Sequence, residues 1–287
     1  MTTRTEYDAD FDTLGGDTIS ALERPEEATQ ASAAVLAADQ VSGRPVIDAP
    51  PDTRVRLARG IRRDGVAHRD AEVRELTGTD EEMLARAGAD WPRFLATLVE
   101  RGTVHVGGEP MTADLAKELL IGDREALILA IRRATFGTDV EFTEYECPYC
   151  GESTDLTLHL DSVPYRGLAQ EHDEHTVLLR EGRTAIVRLP TAGDQDAVLG
   201  QASKLTAAEQ NSEMLSRCVL RLPNAVGNSY QEGNREQVRD LGMADRRAIL
   251  RYLDEAQPGP RYNEVSFKHD ACGREVPLPI SVAGLFL

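Results

Sequence analysis

Two short pairs of metal-type side chains, far apart in the sequence, limit this fold more than any other feature. Cys147 and Cys150 fall in YECPYCGE, and His269 and Cys272 fall in KHDACGRE; each pair is spaced by two residues and followed by a glycine. A turn of that length aims two ligands at one point, and the glycine lets the backbone bend with its N–H groups toward the sulfurs. Together the four side chains form a Cys3His set, a closed tetrahedral site with no position left for water. Thiolates prefer soft and borderline metals to magnesium or calcium, so the expected cofactor is one structural Zn2+. Between the two pairs lie 118 residues. The predicted arrangement is therefore a zinc ribbon split by a large insertion, with folding that depends on the metal. Zinc-finger peptides gain ~10–16 kcal/mol from zinc near neutral pH.

Other readings of the cysteines explain less. A redox CxxC needs no distant partner and leaves the HxxC unexplained. A structural disulfide does not suit a reducing compartment. Cys218, beside Val219 and Leu220 in a helical pattern, reads as an ordinary buried cysteine. His172 and His175, in HDEH, read as solvated residues of a polar loop rather than a second metal patch. No GxSxG, P-loop or GxGxxG is present, and no carboxylate pair has a catalytic setting, so an enzyme reading has no support.

The chain has 287 residues, 41% of them apolar, enough for a sizeable core. No apolar run approaches the ~20 residues that span a bilayer. The acidic start, MTTRTEYDADFDTLGG, is unlike a secretory signal, which points to folding in a cytoplasm. With 32 Lys and Arg against 49 Asp and Glu, the net charge is −17. That field opposes non-specific binding to nucleic acid or anionic membranes. The local run Arg54, Arg56, Arg59, Arg62 and Arg63 is interleaved with acids and reads as a solvated mixed-charge stretch.

The expected fold class is α+β: a helix-rich domain with short strands and hairpins, plus the split ribbon. Residues 1–52 form an acidic, low-complexity extension, closed by Pro45, Pro50 and Pro51 as a linker. It is either a solvated tail or an arm that orders by wrapping a neighbouring subunit. Residues 53–146 form an N-terminal α+β domain. TRVRLA and GVAHRDAEVREL are its strands, and a capping box at Thr79 and Glu82 opens its first helix. WPRFLATLV is a helix with Pro92 in the first turn. A helix-turn-helix pair follows, with Gly122 ending the first helix and Asp123 capping the second. The second helix buries Leu127, Ile128, Ile131 and Phe136, and stops at Gly137.

Residues 147–287 hold the ribbon in two pieces, 147–160 and 263–287, around an inserted hairpin and helical domain, 161–262. The hairpin is HTVLL and TAIVRL, turning at Glu181-Gly182. Thr191 with Asp194, and Thr206 with Glu209, cap two helices, and Met243–Leu253 forms a third. Its LxxxDRRAILRYL pattern echoes LLIGDREALILAI, which suggests a repeated helical unit. The apolar GLFL terminus packs into the core or docks on a partner, and the core is favoured.

Three stretches taken together resemble the T4-type baseplate hub assembly family of contractile-tailed phages and related injection machines. They are EVRELTGTDEEML at 72–84, LLIGDREALILAIRRATFGTDVEFTEYECPYCGE at 119–152, and NEVSFKHDACGREVPLPISVAGLFL at 263–287. The resemblance covers about residues 53–287. It departs at His269, where the family pattern has a cysteine, though histidine remains a valid zinc ligand. It implies a non-enzymatic structural or assembly component of the baseplate hub. The implied partners are other tail or hub proteins, without membrane or nucleic acid. The implied location is the host cytoplasm during assembly, then the virion tail. A tail assembly chaperone absent from the mature particle is an alternative. A zinc-ribbon nucleic-acid or transcription accessory protein is another, although Glu144, Glu146, Glu152 and Asp155 surround the first pair with the wrong charge. A metalloenzyme would need an open coordination position, and His269 fills it.

Overall fold

Alternating side chains and a two-residue turn at Asp64-Gly65, both at positive φ, fold the first ordered stretch into a hairpin of β1 (Arg54–Arg63) and β2 (Val66–Val73). The computed structural model describes residues 52–223, 230–278, 280 and 282–286. The acidic extension, apart from Asp52, lies outside the described residues.

Helix α1 (Gly78–Ala85) follows, then α2 (Trp91–Gly102), β3 (Thr103–Val106), β4 (Glu109–Pro110), α3 (Ala113–Glu118) and α4 (Ile121–Phe136). Strands β1-β2-β3-β4 make one antiparallel sheet in that order. Beyond it come the hairpin of β5 (Asp139–Glu146) and β6 (Ser153–His159), and the short β7 (Tyr165–Arg166). The chain continues through β8 (His175–Leu178), β9 (Thr184–Val187), α5 (Ala192–Leu199), α6 (Ala207–Cys218), β10 (Val219–Pro223) and β11 (Tyr230–Glu232). It ends with α7 (Arg235–Asp240), α8 (Met243–Ala256), β12 (Gly259–Pro260), β13 (Ser266–Lys268) and β14 (Glu275–Pro277). The mixture of helices and strands is α+β, as expected.

Several local expectations hold. Asp90 caps α2 by accepting the Arg93 N–H at 3.2 Å, with Pro92 in the first turn. Strands β8 and β9 pair as a hairpin, with Glu181 and Gly182 at positive φ. Capping boxes at Thr191/Asp194 and Thr206/Glu209 open α5 and α6. Gly137 ends α4 at φ +81, and Arg132 donates to the carbonyls of Gly137 and Asp139 at that negative helix end. Cys218 is fully buried, and Leu285 of the terminal GLFL lies in the core; Leu287 is outside the described residues.

Other expectations are corrected. The first capping box lies two residues early, at Thr77 and Asp80. Asp80 is fully buried and clasped by Arg74 at 2.8 and 3.0 Å and by Arg101 at 2.6 Å, so its short carboxylate is held where it meets the Thr77 N–H. Burial opposes its ionisation, but these donors hold its carboxyl well below the usual carboxylate range. Glu82 is left exposed.

Gly122 does not end a helix, and Asp123 does not cap one; both lie in the first turn of α4. A Cβ at Gly122 would come within 1.5 Å of the Pro258 carbonyl oxygen, so the glycine permits close packing. Asp123 is fully buried and accepts the backbone N–H groups of Ala58 (2.6 Å), Arg59 (3.1 Å) and Gly60 (2.8 Å). These are the residues where β1 leaves register with β2, between Arg56 and Ile61. A helix carboxylate thus satisfies amides that the sheet cannot.

Three further corrections concern polar and aromatic side chains. His175 is buried at the start of β8, its Nδ1 3.0 Å from the Tyr252 hydroxyl, and burial lowers its pKa; His172 alone is exposed. Within the arginine run, Arg59, Arg62 and Arg63 are half-buried, and Arg63 pairs with Glu109 at 2.6 Å and Glu118 at 2.8 Å. Phe136 is exposed rather than part of the core face of α4.

The echo between helices belongs to a larger repeat. The order β1-β2-α1-α2-β3-β4-α3-α4 recurs as β8-β9-α5-α6-β10-β11-α7-α8, and both four-stranded sheets have the same strand order. Arg188 clasps Asp194 at 2.6 and 3.0 Å as Arg74 clasps Asp80. Asp245, third residue of α8, accepts the Arg180 N–H at 2.9 Å as Asp123, third residue of α4, accepts that of Ala58. Each repeat has its own core, and a third cluster, including Leu158, Leu160, Val265 and Leu278, lies with the two later hairpins.

Removing the Asp123 carboxylate strands three amides, that of Gly60 buried and those of Ala58 and Arg59 half-buried; a buried one costs roughly 1–3 kcal/mol when unsatisfied. Asp123→Ala is expected to destabilise the protein on the order of 3 kcal/mol in chemical denaturation, and Asp123→Asn less. An unchanged midpoint for Asp123→Ala would refute this role. Gly122→Ala is expected to lower the melting temperature through backbone collision with Pro258.

Candidate metal centre

The two pairs sit on matching turns. After β5, the Cys147 N–H donates to Glu152 O at 2.9 Å and the Gly151 N–H returns to Cys147 O at 2.9 Å. After β13, the His269 N–H donates to Arg274 O at 2.9 Å and the Gly273 N–H returns to His269 O at 2.7 Å. Gly151 and Gly273 both have positive φ, 74° and 67°, which a side chain would oppose. Each turn therefore presents its two ligands on the same side.

Side-chain packing between two separate hairpins brings the turns together. β5 pairs with β6 and β13 with β14, and Tyr145 meets Phe267 edge-on with ring centroids 5.7 Å apart. The Cys147 and Cys272 sulfurs are 3.9 Å apart. The His269 Nδ1 lies 3.7 Å from the Cys150 sulfur and 3.5 Å from the Cys272 sulfur. All four ligand atoms fall within 4.8 Å of one another, close enough to bind one metal ion. Cys147 and His269 are buried, Cys272 is half-buried and Cys150 is exposed, so the cluster has an inner wall and an open edge.

The thiols compete for charge. Burial opposes ionisation of Cys147, but the backbone N–H groups of Tyr149 and Cys150 hold its thiol below its ordinary value. The Glu152 N–H favours a Cys150 thiolate, yet burial and the neighbouring sulfurs push that thiol up. A divalent cation among the sulfurs would remove this competition by supplying the missing positive charge. Three sulfurs and one imidazole nitrogen in this arrangement suit a soft or borderline ion.

The spacing of the ligands follows the repeat. Cys147 precedes His269 by the same 122 positions that separate Asp123 from Asp245 (269 − 147 = 245 − 123). Each repeat thus ends in one knuckle, and the long separation between the pairs is one repeat length. The shared DRxA of α4 and α8 is the visible sequence signal. The carboxylate clasps at Asp80, Asp123, Asp194 and Asp245 had no equally clear signal.

The remaining candidates do not assemble a second site. His172 and His175 diverge, one into solvent and the other onto Tyr252. Most of α4 is buried, so the helix pair offers no free helix to enter a DNA groove. Glu144, Glu146, Glu152 and Asp155 are exposed beside the first knuckle. No helix among the described residues is long and apolar enough to cross a membrane.

Comparison with curated proteins and with solved structures finds no match. A family model described as T4 bacteriophage base plate protein matches residues 72–277, from within β2 through β14 and across both knuckles. That span is most of the chain, and the protein belongs to the T4 bacteriophage base plate protein family.

Proposed function

We propose that this chain is a non-enzymatic structural component of a phage-type baseplate hub, held by one structural Zn2+ on Cys147, Cys150, His269 and Cys272. The observation that carries the metal reading is the convergence of those four ligand atoms from chain segments a whole repeat apart. The baseplate reading rests on the family match. In this reading the zinc joins the two ribbon pieces, 147–160 and 263–287, into a split ribbon. The segment 161–262 between them carries most of the second repeat, and 53–146 most of the first. Other hub proteins are the partners, and the acidic extension wraps a neighbouring subunit.

A metal fits the mechanics of such a part. The β13–β14 hairpin is very short, and hairpins of this size are marginal alone. Cross-linking it to β5–β6 would let the terminal segment resist load without a large core of its own. Histidine at position 269 keeps the donor count at four while placing a neutral ligand among thiolates, which lowers the net charge of the loaded site.

Purified protein is expected to contain one zinc per chain by plasma mass spectrometry. Cys147→Ser and His269→Ala should lose the metal and melt at lower temperature, whereas His269→Cys should retain it. Full stability and no metal in all four proteins would refute the zinc reading. Because Cys150 is exposed, a strong chelator should strip the wild-type site without prior global unfolding, followed by loss of near-ultraviolet dichroism. Quantitative mass spectrometry of purified particles tests the baseplate reading: a fixed stoichiometry is expected. Absence from mature particles would favour an assembly chaperone.

A further inference from the structure

The first repeat holds the second through a different face of each. Helix α5 of the second repeat lies against α2, α3 and α4 of the first. Leu199 packs into the first core, and the Ala192 N–H donates to Leu119 O at 2.8 Å. The buried Arg124 reaches across to Asp196 at 2.6 Å and also bonds Gln195. Such a contact is heterologous: it joins a groove on one unit to a helix on the next, and it does not close on itself.

Both repeats contain both halves of that contact, so one helix and one groove are left over. In the first repeat α1 holds the place of α5. Glu81, Glu82 and Ala85 are exposed there, while their counterparts Gln195, Asp196 and Leu199 are half-buried. In the second repeat the groove between α6, α7 and α8 replaces the one that α5 fills. It is open, with a volume of about 650 Å³; Arg239, Arg246 and Arg247 outnumber its one acid, Glu209, and Leu241, Met243 and Leu250 are its large apolar residues. Met243 is 81% exposed, although its counterpart Ile121 is half-buried.

The charges match across the two vacant halves. Arg246 stands where Arg124 stands, and Glu82 stands where Asp196 stands. Arg247 adds a positive charge to the groove, with no ion-pair partner among the described residues, and Glu81 adds a second acid to α1. In the single chain Arg246 turns inward to Val238 O at 2.8 Å and Ser212 Oγ at 2.8 Å. The internal contact shows what an acidic helix in this groove offers such a guanidinium.

We propose that the occupant is a second copy of this chain. Helix α1 of one copy enters the α6–α7–α8 groove of the next, reproducing between molecules the contact that joins the repeats within one. Each added copy presents a fresh α1 and a fresh groove, so the association is head-to-tail and closes only as a ring. The inference rests on the repeat and requires neither the zinc nor the baseplate role.

Sedimentation velocity of the full chain over a concentration series tests it. Wild-type protein is expected to pass beyond a dimer as concentration rises. A groove variant, Met243→Asp with Arg247→Glu, and a helix variant, Glu81→Lys with Glu82→Lys, should each remain monomeric with unchanged circular dichroism. Mixing the two should restore association, because each retains the half that the other lacks. A wild-type monomer throughout, a plateau at the dimer mass, association by either variant alone, or a monomeric mixture would each overturn the proposal.

Discussion

A buried carboxylate in the first turn of a helix holds each repeat together. Asp123 gathers three amides from the irregular part of β1, and Asp245 gathers one amide and the Arg183 guanidinium from the turn before β9. In both cases the carboxylate sits in the first turn of its helix, so the helix dipole and the backbone N–H groups it accepts favour the same negative charge. Burial alone would expel that charge, and indeed pushes the Asp123 carboxyl up. The arrangement therefore works only if the strand, helix and carboxylate are placed together. This makes helix position and strand irregularity one cooperative choice.

The Arg–Thr–Asp clasps do similar work at the other end of each hairpin. Arg74 and Arg188 leave strands β2 and β9 just past their last residues and hold the acid that opens α1 or α5. Strand end, turn and helix start are thus tied by a bidentate contact, whose planar geometry lysine could not reproduce. With strands and helices tied at both ends, the apolar cores need only fill the space between. The two knuckles then extend from scaffolds built alike, which places their ligands in comparable positions.

Much of this was legible where chemistry demands particular residues. Cys147, Cys150, His269 and Cys272 stood out because few spacings aim two ligands at one point, and the structure brings all four together. The Glu181-Gly182 hairpin, the Gly137 stop and two capping boxes were legible for the same local reason. The errors came where tertiary contacts decide between local signals. Thr79 and Glu82 satisfy a capping pattern as well as Thr77 and Asp80 do, and only Arg74, just past β2, and Arg101 of α2 select the latter. Gly122 reads as a helix stop until Pro258 is seen against it, and Asp123 reads as a cap until its amide partners prove to lie in β1. His175 looked solvated because its neighbours are polar, yet strand alternation turns it inward toward Tyr252. The helical echo was visible in DRxA, but the full repeat was hidden because the two halves share topology and clasps rather than extended sequence.

Equivalent positions in the repeats also show what burial asks of a surface. Where the first repeat meets α5, its chain reads Leu119-Leu120-Ile121-Gly122, apolar and closely packed. The matching stretch of the second repeat reads Leu241-Gly242-Met243-Ala244, still without charge although largely exposed. An arginine remains at 246 and another is added at 247, while α1 carries acids at 81 and 82. The vacant halves thus keep an uncharged helix start in the groove and a net positive rim facing an acidic helix, as in the filled contact.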